Sequence, residues 1–506
     1  MIFPPLGSYD DLIRDIPLSV IYAATHSVKA GFRVRILDLR LNPEDWRRMV
    51  SEVVGQGCGL VGVSVMTGYP IKTGLAISRF VKEIRPGQRV VWGGPHPTVL
   101  PQQTLEHPDV DFVIRGWGSQ SLCQLLEYLY RGLGILDDIP GLGWKEDSGI
   151  RLNAFRSTHE VLDHWDIPYG LVDVTPRNYQ RMKNTDSLIF PVFTSLGCPY
   201  QCTFCITPAL GRELQGKRWI GFDVGSVLDH MEFLARNYPI KAFQIYDDDA
   251  FIDRKRMALF FDGYMERGLH ERYFLEFRGV RINELDRMDD DYLARMVRAN
   301  VRLLVIGLES GSDRVLRSMR KNITREQVKR VNIKLARFPQ LLPHYNFFCG
   351  TPGETFEDLL ETKELILQLL RDNPRSYLGV GADWKPIPGA VMTEEAVRDY
   401  GLRLPSTLEE WVTMDSTDTT EEIRHPWYTP QIANFIKLMQ ITGKVMDDKV
   451  LQEGGSFPPL LRVVMRLLIQ GYRPLLRWRL RHNAAGFLVE HDLMYLFFRL
   501  FVGRRT

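Results

Sequence analysis

The feature that most constrains the fold is a regular alternation of short apolar strands with helical segments. Between residues 15 and 130 the pattern predicts a helix at IPLSVIYAATHSVKAG, then strands at FRVRILDL, LVGVSVMT, QRVVWGG and DFVIRG with helices between them. Such alternation is typical of a parallel sheet with helices on its faces. The sequence therefore predicts an α/β protein whose N-terminal domain, residues 1–145, holds a doubly wound parallel sheet. Its first strand is short, since Pro4 follows Phe3 directly.

A second series of strands follows a polar connecting segment, residues 146–188. It begins at LIFPVFTS and continues through KAFQIYDDD, RYFLEFRGVRI, RLLVIGLESG, LPHYNFFCGTPGET and SYLGVGADWKP. Some six strand–helix units suit a complete or partial (β/α) barrel over residues 189–395, with its working residues at the carboxyl ends of the strands. Strand signals then stop, so residues 396–506 are predicted to form a helical C-terminal domain.

Composition and charge exclude several classes of protein. The 64 basic and 62 acidic residues leave a formal charge of +2, which is not the footprint of a nucleic-acid-binding protein. Three of the six cysteines lie within eight residues, which argues against a disulfide framework and for a reducing cytoplasm. The N-terminus lacks the pattern of a secretory signal, and no stretch of about 18 apolar residues predicts a membrane-spanning helix.

The segment SLGCPYQCTFC places Cys198, Cys202 and Cys205 directly after a predicted strand. Three thiolates can bind three irons of a [4Fe-4S] cluster and leave the fourth iron open for a ligand. A zinc site and three buried thiols are the alternatives. Structural zinc normally takes a fourth Cys or His, and none lies between Phe190 and Gly211. We therefore predict that these cysteines bind a [4Fe-4S] cluster.

The CxxxCxxC spacing, with Phe204 before the last cysteine, resembles the signature of the radical S-adenosylmethionine (SAM) enzymes. The resemblance extends over residues 190–390, because IYDDDAF, FRGVRI, GLESGSDRVLRSMRK and GTPGET match the family's strand ends in order. It implies that SAM binds the open iron. One electron from the cluster would then cleave SAM to a 5′-deoxyadenosyl radical, which abstracts hydrogen from an unreactive carbon.

The same resemblance implies residues that bind SAM. Glu309 and Ser310 lie where such enzymes bind the ribose, and Arg278 suits the carboxylate. Asp247 belongs to the acidic strand end, for which a solvated turn or helix cap is the alternative. Cys349 is most simply a buried strand residue, and GTPGET suits turn and cap chemistry as well as ligand contact. No catalytic acid or base is indicated.

The N-terminal half resembles the cobalamin-binding domain that precedes the SAM barrel in a large subfamily of these enzymes. The matching segments are PLSVIYAATHSVKAGFRVRILDL, VGVSVMTGYPIKTGLAISRFVKEIRPGQRVVWGGPHPTVLP and DFVIRGWG. The implied fold is Rossmann-like, and in such sheets the loops after the strands face the ligand. Ser64, Thr67, Gly93 and Gly94 would thus flank the nucleotide tail of cobalamin, with the glycines permitting close backbone approach.

Two features depart from other cobalamin proteins. The DxHxxG motif that supplies a cobalt-ligating His elsewhere is absent, and His96 is more simply a hydrogen-bonded loop residue. RGWGSQ stands where the subfamily has RGEGE, with Trp117 and Ser119 at the altered positions. A sheet that has lost its ligand is therefore the alternative to a cobalamin site.

With cobalamin, SAM and the cluster as cofactors, the resemblance implies methylation of an unactivated carbon of a small, hydrophobic metabolite. The alternatives are a ring cyclase or ring-rearranging enzyme without methyl transfer, and a cobalamin- or redox-responsive binding protein. A methylthiotransferase is excluded, because it needs three further cluster cysteines in the N-terminal domain, where only Cys58 and Cys123 occur. A flavodoxin or ferredoxin is the expected electron donor.

The C-terminal segment interleaves arginines with Leu, Val and Trp478. The arginines are Arg462, Arg466, Arg473, Arg477, Arg479 and Arg481. An apolar face with cationic heads suits an anionic membrane surface, or a cap over a lipid-like or tetrapyrrole substrate. The simpler interpretation is a helical cap packed on the barrel, with arginine stems covering apolar surface. Peripheral membrane contact is thus a hypothesis.

Overall fold

The fold is that of a computed structural model of the chain. The structure describes residues 1–7, 10, 13–154, 161–179, 186–211, 217–414, 425–447 and 459–493. In this part of the chain two α/β units follow each other, and helices follow the second unit.

The N-terminal unit is a sheet covered by helices. Its strands are β1 (Ile2–Phe3), β2 (Leu37–Asp38), β3 (Leu60–Ser64), β4 (Arg89–Gly93), β5 (Phe112–Ile114), β6 (Leu142–Glu146) and β7 (Gly149–Leu152). Its helices are α1 (Leu18–Lys29), α2 (Trp46–Gly55), α3 (Tyr69–Ile84), α4 (Pro95–Val99), α5 (Pro101–Glu106) and α6 (Ser119–Arg131). Within the described residues the strand order is β2-β1-β3-β4-β5-β6-β7. Strands β1 to β5 are parallel, which confirms the predicted fold class.

Two details of this sheet differ from the prediction. Strands β6 and β7 form a hairpin that adds antiparallel to β5, so the sheet continues past the predicted boundary at residue 145. The hairpin turn ends at Gly149, whose φ of 127° lies in the region that favours glycine. In FRVRILDL only Leu37 and Asp38 form a strand, because their pairing partner among the described residues is the two-residue strand β1.

The second unit is a partial barrel. Its strands are β8 (Leu188–Val192), β9 (Ser195–Gly197), β10 (Trp219–Gly221), β11 (Ile240–Ile245), β12 (Phe274–Val280), β13 (Val301–Glu309), β14 (Leu342–Cys349) and β15 (Tyr377–Asp383). Its helices are α7 (Thr207–Leu210), α8 (Val224–Asn237), α9 (Arg254–Glu266), α10 (Leu269–Arg272), α11 (Ile282–Asp286), α12 (Asp290–Arg298), α13 (Asp313–Ser318), α14 (Arg325–Ala336) and α15 (Phe356–Asp372). As far as the structure describes the chain, six parallel strands run in the order β15-β14-β13-β12-β11-β8, with β9 and β10 as a separate antiparallel pair.

Helices follow the last strand, as the sequence predicts. They are α16 (Val391–Tyr400), α17 (Pro430–Val445) and α18 (Pro459–His482). Short 3₁₀ turns elsewhere span Pro43–Asp45, Leu136–Asp138, His164–Asp166, Tyr169–Leu171 and Glu410–Thr413. Helix α17 packs on β15 and α15, and α18 packs on α17. No helix in the described ranges is long and apolar enough to cross a membrane.

One continuous apolar core joins the two units. Helix α1 contributes Leu18, Val20 and Ile21 to the same cluster of buried side chains as Phe190 and Val192 of β8. Because β8 leads directly into the cysteine segment, this packing sets the N-terminal unit against the barrel where the first barrel strand ends.

Candidate functional site

The three cysteines lie in the segment that follows β8 and β9, at the carboxyl edge of the barrel. Gly197, with a φ of 78°, turns the chain immediately before Cys198. Cys202 is buried, whereas Cys198 and Cys205 are partly exposed. Burial raises the pKa of the Cys198 thiol to about 12, so a metal must displace its proton in order to bind.

The donor set fits an iron–sulfur cluster better than a single metal ion. No three His, Cys, Asp or Glu side chains in the described ranges converge as the ligands of one ion do. Three thiolates that each bind a different iron need not converge on one centre. The segment also supplies a hydrogen-bond donor to its own sulfur, because the Thr207 amide nitrogen lies 3.4 Å from Cys205 Sγ. The arrangement is thus compatible with the predicted cluster, and ligation by these three cysteines stays a prediction.

A buried carboxylate holds the start of the cysteine segment. Asp247, which follows β11, accepts hydrogen bonds from the Thr194 amide at 2.7 Å, the Thr194 hydroxyl at 2.6 Å and the Ser195 hydroxyl at 2.6 Å. Arg256 donates to the Thr194 carbonyl oxygen. Burial raises the pKa of Asp247, and the hydrogen bonds from Ser195 and Thr194 oppose that shift. Both carboxylate oxygens position the cysteine segment, while cofactor contact by Asp247 stays a prediction.

Two of the three carboxylates at the acidic strand end are shielded from solvent, whereas Asp248 is exposed. Asp247 and Asp249 are buried, and Asp248 lines the cavity described below. Asp249 Oδ1 accepts from the Phe251 amide at 3.1 Å. Its Oδ2 has no hydrogen-bond partner among the described groups. Burial raises the pKa of Asp249 to about 7.

Arg281 is a site residue that the sequence-based prediction missed. It caps the start of α11 directly after β12 and is buried, with its guanidinium carbon 3.8 Å from the Tyr200 ring centroid. One terminal nitrogen donates to Cys202 Sγ at 3.3 Å and the other to the Lys321 carbonyl oxygen at 2.6 Å. A permanent positive charge therefore lies against a thiol of the cysteine segment. The sequence could have indicated Arg281, because it lies at the end of a predicted barrel strand and barrel enzymes place their functional residues at such strand ends.

Arg278, the residue predicted to bind the SAM carboxylate, lies on β12 and is half-buried. Within the described residues no side chain pairs with its guanidinium. The charge is therefore available to an anionic ligand, as the prediction requires.

The predicted ribose-binding pair lies at the end of β13. Glu309 has a φ of 70°, an uncommon conformation for a non-glycine residue that clusters at functional sites. Lys321 Nζ donates to its carboxylate at 2.8 Å and lies 5.5 Å from the Phe204 ring centroid. Ser310 is buried, and its hydroxyl accepts from the Ser312 amide at 3.1 Å. Glu309 is thus held beside the cysteine segment, and ribose contact by either residue stays a prediction.

The GTPGET segment forms a turn that leads into α15. Glu354 accepts hydrogen bonds from the amides of Gly350 at 2.6 Å and Thr351 at 3.0 Å. Thr355 forms a capping box with Asp358 at the helix start. Burial raises the pKa of Glu354 to about 7. The observed contacts are therefore those of a turn and a cap.

A cavity of about 930 Å³ lies between the N-terminal sheet and the barrel. Ser64, Gly93 and Gly94 line it from the first unit, and Cys198 and Asp248 line it from the second. Its volume is at the upper end for small-molecule and cofactor sites. The carboxyl ends of strands β3, β4 and β8 thus meet at one cavity, where both kinds of α/β fold place their ligands.

The two glycines of the cavity wall differ in what an added side chain would meet. Gly94 has a φ of 106°, and a Cβ there would lie 2.7 Å from the Val65 carbonyl oxygen. At Gly93 the nearest atom to an added Cβ would be the Ile114 carbonyl oxygen, at an ordinary 3.7 Å. Neither residue places a side chain at the wall, as the predicted contact with the tail of cobalamin requires.

Thr67 differs from the other predicted cobalamin residues. It is not among the described residues that line the cavity, and its hydroxyl pairs with Nδ1 of the buried His96 at 3.0 Å. The His96 ring packs edge-on against Trp411 at 5.7 Å, and burial lowers the pKa of His96 to about 4. Trp117 and Ser119, which depart from the family pattern, both line the cavity. Contact between Thr67 and cobalamin stays a prediction.

Family models match two parts of the chain. The B12 binding domain matches residues 9–126, and the radical SAM superfamily matches residues 192–366. The first match lies in the N-terminal sheet unit. The second covers the cysteine segment and most of the barrel.

Curated proteins similar to this chain include a methyltransferase and a cyclase. An uncharacterized methyltransferase of Pyrococcus horikoshii is 27% identical over 402 residues, which are 79% of this chain and 82% of the relative. An anaerobic magnesium-protoporphyrin IX monomethyl ester cyclase of Synechocystis sp. is 25% identical over 348 residues, which are 67% of this chain and 65% of the relative. Methyltransferases and cyclases are thus both among its relatives.

Two solved structures share the fold. The radical SAM methyltransferase TsrM from Kitasatospora setae, with cobalamin and a [4Fe-4S] cluster bound, has a TM-score of 0.64 and 19% identity, over 80% of this chain and 75% of that one. The cobalamin-dependent SAM radical enzyme OxsB, with aqua-cobalamin and SAM bound, has a TM-score of 0.68 and 16% identity, over 99% and 74%. The two family matches, in this order on one chain, identify it as a cobalamin-binding radical SAM enzyme whose cofactors are cobalamin, SAM and a [4Fe-4S] cluster.

Proposed function

We propose that this enzyme methylates an unactivated carbon of a small, hydrophobic metabolite. When bound, cobalamin supplies the methyl group, and SAM cleaved at the cluster supplies the 5′-deoxyadenosyl radical that removes a substrate hydrogen. Because the radical takes the hydrogen atom, no side chain has to act as a general base.

The shared cavity is the observation that carries methyl transfer. Gly93 and Gly94 of the N-terminal sheet and Cys198 of the barrel line the same space of about 930 Å³. A corrinoid at one wall and a cluster at the other would face one substrate without a layer of protein between them. Transfer between bound groups depends on such proximity and orientation.

The predicted residues have complementary roles in this arrangement. The cysteine segment would hold the cluster at one side of the cavity. Arg278 would pair with the carboxylate of SAM, while Glu309 and Ser310 would bind its ribose hydroxyls. Gly93 and Gly94 would admit the nucleotide tail of cobalamin.

The cavity wall supports a hydrophobic substrate, lipid-like or tetrapyrrole. Its lining includes the apolar side chains of Tyr22, Leu196 and Phe222, and apolar walls with few polar groups favour such ligands. We propose a flavodoxin or ferredoxin as the electron donor. All six cysteines, each within the described residues, are free thiols, which suits the cytoplasmic location that we predict.

A ring cyclase is the second candidate. The cyclase of Synechocystis sp. that aligns with 67% of this chain is the observation in its favour. Such an enzyme would use the radical without transferring a methyl group. A cobalamin- or redox-responsive binding protein, by contrast, would not consume SAM.

Anaerobic reconstitution tests the proposal. The protein is loaded with iron, sulfide and hydroxocobalamin and then given dithionite and SAM, and 5′-deoxyadenosine and S-adenosylhomocysteine are quantified. Cys202→Ser should abolish deoxyadenosine formation, because it removes a cluster ligand. Cys349→Ser is the matched control, since Cys349 is a buried thiol outside the cysteine segment.

The products separate the candidates. Stoichiometric corrinoid with both products supports the methyltransferase. Corrinoid with deoxyadenosine alone favours the cyclase, and no SAM consumption favours the binding protein. A protein that retains no corrinoid would overturn the cobalamin half of the proposal.

A further inference from the structure

Helix α18 is apolar on two opposite faces. Successive helical residues are about 100° apart, so Leu476 and Leu480 share one face, and both are fully buried. The opposite face carries Leu467, Leu468 and Trp478, which are 64%, 67% and 53% exposed. A helix on the surface of a globular protein normally has a polar outer face. The outer face of α18 therefore lacks the polar character that water contact favours.

The exposed apolar surface extends beyond this helix. Its members on α18 are Val463, Val464, Leu467, Leu468, Leu475 and Trp478, and the chain that follows adds Phe487, Val489 and Leu493. Phe487 is 84% exposed. Large apolar side chains exposed in this number on one helix and the segment after it mark a site of interaction.

Cations border this surface on one side. Arg466, Arg477 and Arg481 lie along one edge of the outer apolar stripe by helical position, and their side chains are exposed. In the described part of the chain none of the three pairs with a carboxylate, whereas Arg479 bonds Glu490 at 3.0 Å. The sequence of α18 holds six arginines and no Asp or Glu. Its charge is therefore complementary to an anionic partner.

We propose that the outer face of α18 docks the enzyme onto the surface of an anionic lipid bilayer. The inner face stays packed, with Arg473 donating to the carbonyl oxygens of Val445 at 2.8 Å and Asp447 at 2.6 Å. The helix thus lies along the membrane, with its leucines at the acyl boundary and its arginines at the phosphates. Trp478 suits the interface, where aromatic rings with a polar edge concentrate. This docking does not depend on which reaction the barrel catalyses.

Vesicle flotation of the full-length protein tests the docking surface. The wild type is expected to float with phosphatidylcholine–phosphatidylglycerol vesicles and to stay behind with pure phosphatidylcholine vesicles. The double variant Leu467→Asp/Leu468→Asp should lower vesicle partitioning on the order of a hundredfold, because two exposed leucines lose their apolar contact. Leu259→Asp is the matched control, since Leu259 lies on α9 and is 63% exposed.

A second pair of variants tests the charges. Arg477→Ser/Arg481→Ser should lower partitioning roughly tenfold or more, and added salt should weaken binding of the wild type in the same way. Arg298→Ser/Arg317→Ser removes the same charge from exposed positions on α12 and α13 and should leave partitioning unchanged. Circular dichroism and corrinoid content verify that each variant is folded.

Three results would overturn the proposal. The first is a wild type that does not float with anionic vesicles, and the second is equal flotation with neutral ones. The third is a dimer that Leu467→Asp/Leu468→Asp dissociates in the absence of vesicle binding, which would assign the face to a second copy of the chain. Since partitioning is measured without substrate, failure here is distinct from failure of the proposed methyl transfer.

Discussion

Replacing Arg281 with Gln is expected to make the [4Fe-4S] cluster harder to reduce. The guanidinium donates to Cys202 Sγ at 3.3 Å, so its positive charge would stabilise the extra electron of a reduced cluster bound through Cys202. Two unit charges about 8 Å apart interact by about 2 kcal/mol at an effective dielectric constant of about 20. For a one-electron couple this corresponds to a midpoint potential lowered by roughly 90 mV.

Potentiometric titration followed by electron paramagnetic resonance (EPR) measures this shift on the reconstituted protein without SAM. Arg281→Lys retains the charge and should move the potential much less, although it loses the planar contact with Tyr200. Arg278→Gln is the matched control, because Arg278 lies on β12, which directly precedes Arg281, and no sulfur contact is observed for it among the described residues. A normal potential in Arg281→Gln with full iron content, or an equal shift in Arg278→Gln, would refute the electrostatic role.

Three further substitutions test the residues that position the cysteine segment, the cavity wall and the GTPGET turn. Asp247→Asn should lower the cluster yield and destabilise the fold by about 2 kcal/mol, because a charged acceptor of three hydrogen bonds is lost. Asp248→Asn is the control. Equal iron content and melting temperature in the two variants would contradict the role of Asp247 in positioning the cysteine segment. Gly94→Ala should destabilise the fold by about 1–3 kcal/mol, since the φ of Gly94 is 106° and a Cβ would lie 2.7 Å from a backbone oxygen. Gly93→Ala is the control, which should leave the melting temperature unchanged and weaken corrinoid binding. Identical melting temperatures in the two variants would refute this prediction. Burial raises the pKa of Glu354 from 4.5 to about 7, so the free energy of unfolding should fall as pH rises through that window. Glu354→Gln should flatten the dependence of the apoprotein's unfolding free energy on pH. An unchanged dependence would contradict the assignment.

The order of elements was predictable because local periodicity reflects burial. Helix α1, strands β3 to β5 and the six barrel strands follow directly from alternating apolar segments. The hairpin of β6 and β7 was not predicted, because its residues outside the sheet core are polar and exposed. Pairing with β5 decides that structure, and pairing is a tertiary property.

The candidate site was predictable where the chemistry is local. The spacing of the cysteine segment predicts the three thiols as metal ligands, and the glycines before α4 predict a backbone that a ligand can approach closely. Arg281 depends on contacts with Cys202 and Lys321, which are 79 and 40 residues away in sequence. Asp247 likewise reaches Thr194 across 53 residues. Such partners are set by packing, and sequence spacing carries no record of them.

Magnetic coupling between the two cofactors tests most directly whether they share one cavity. Pulsed EPR on the reconstituted protein would measure the spin relaxation of cob(II)alamin with the cluster oxidised and then reduced. We predict markedly faster relaxation when the cluster is reduced, because the walls that we propose to hold the two cofactors enclose the same space. Identical relaxation in both states, with corrinoid and iron fully bound, would contradict the shared cavity and with it the proposed methyl transfer.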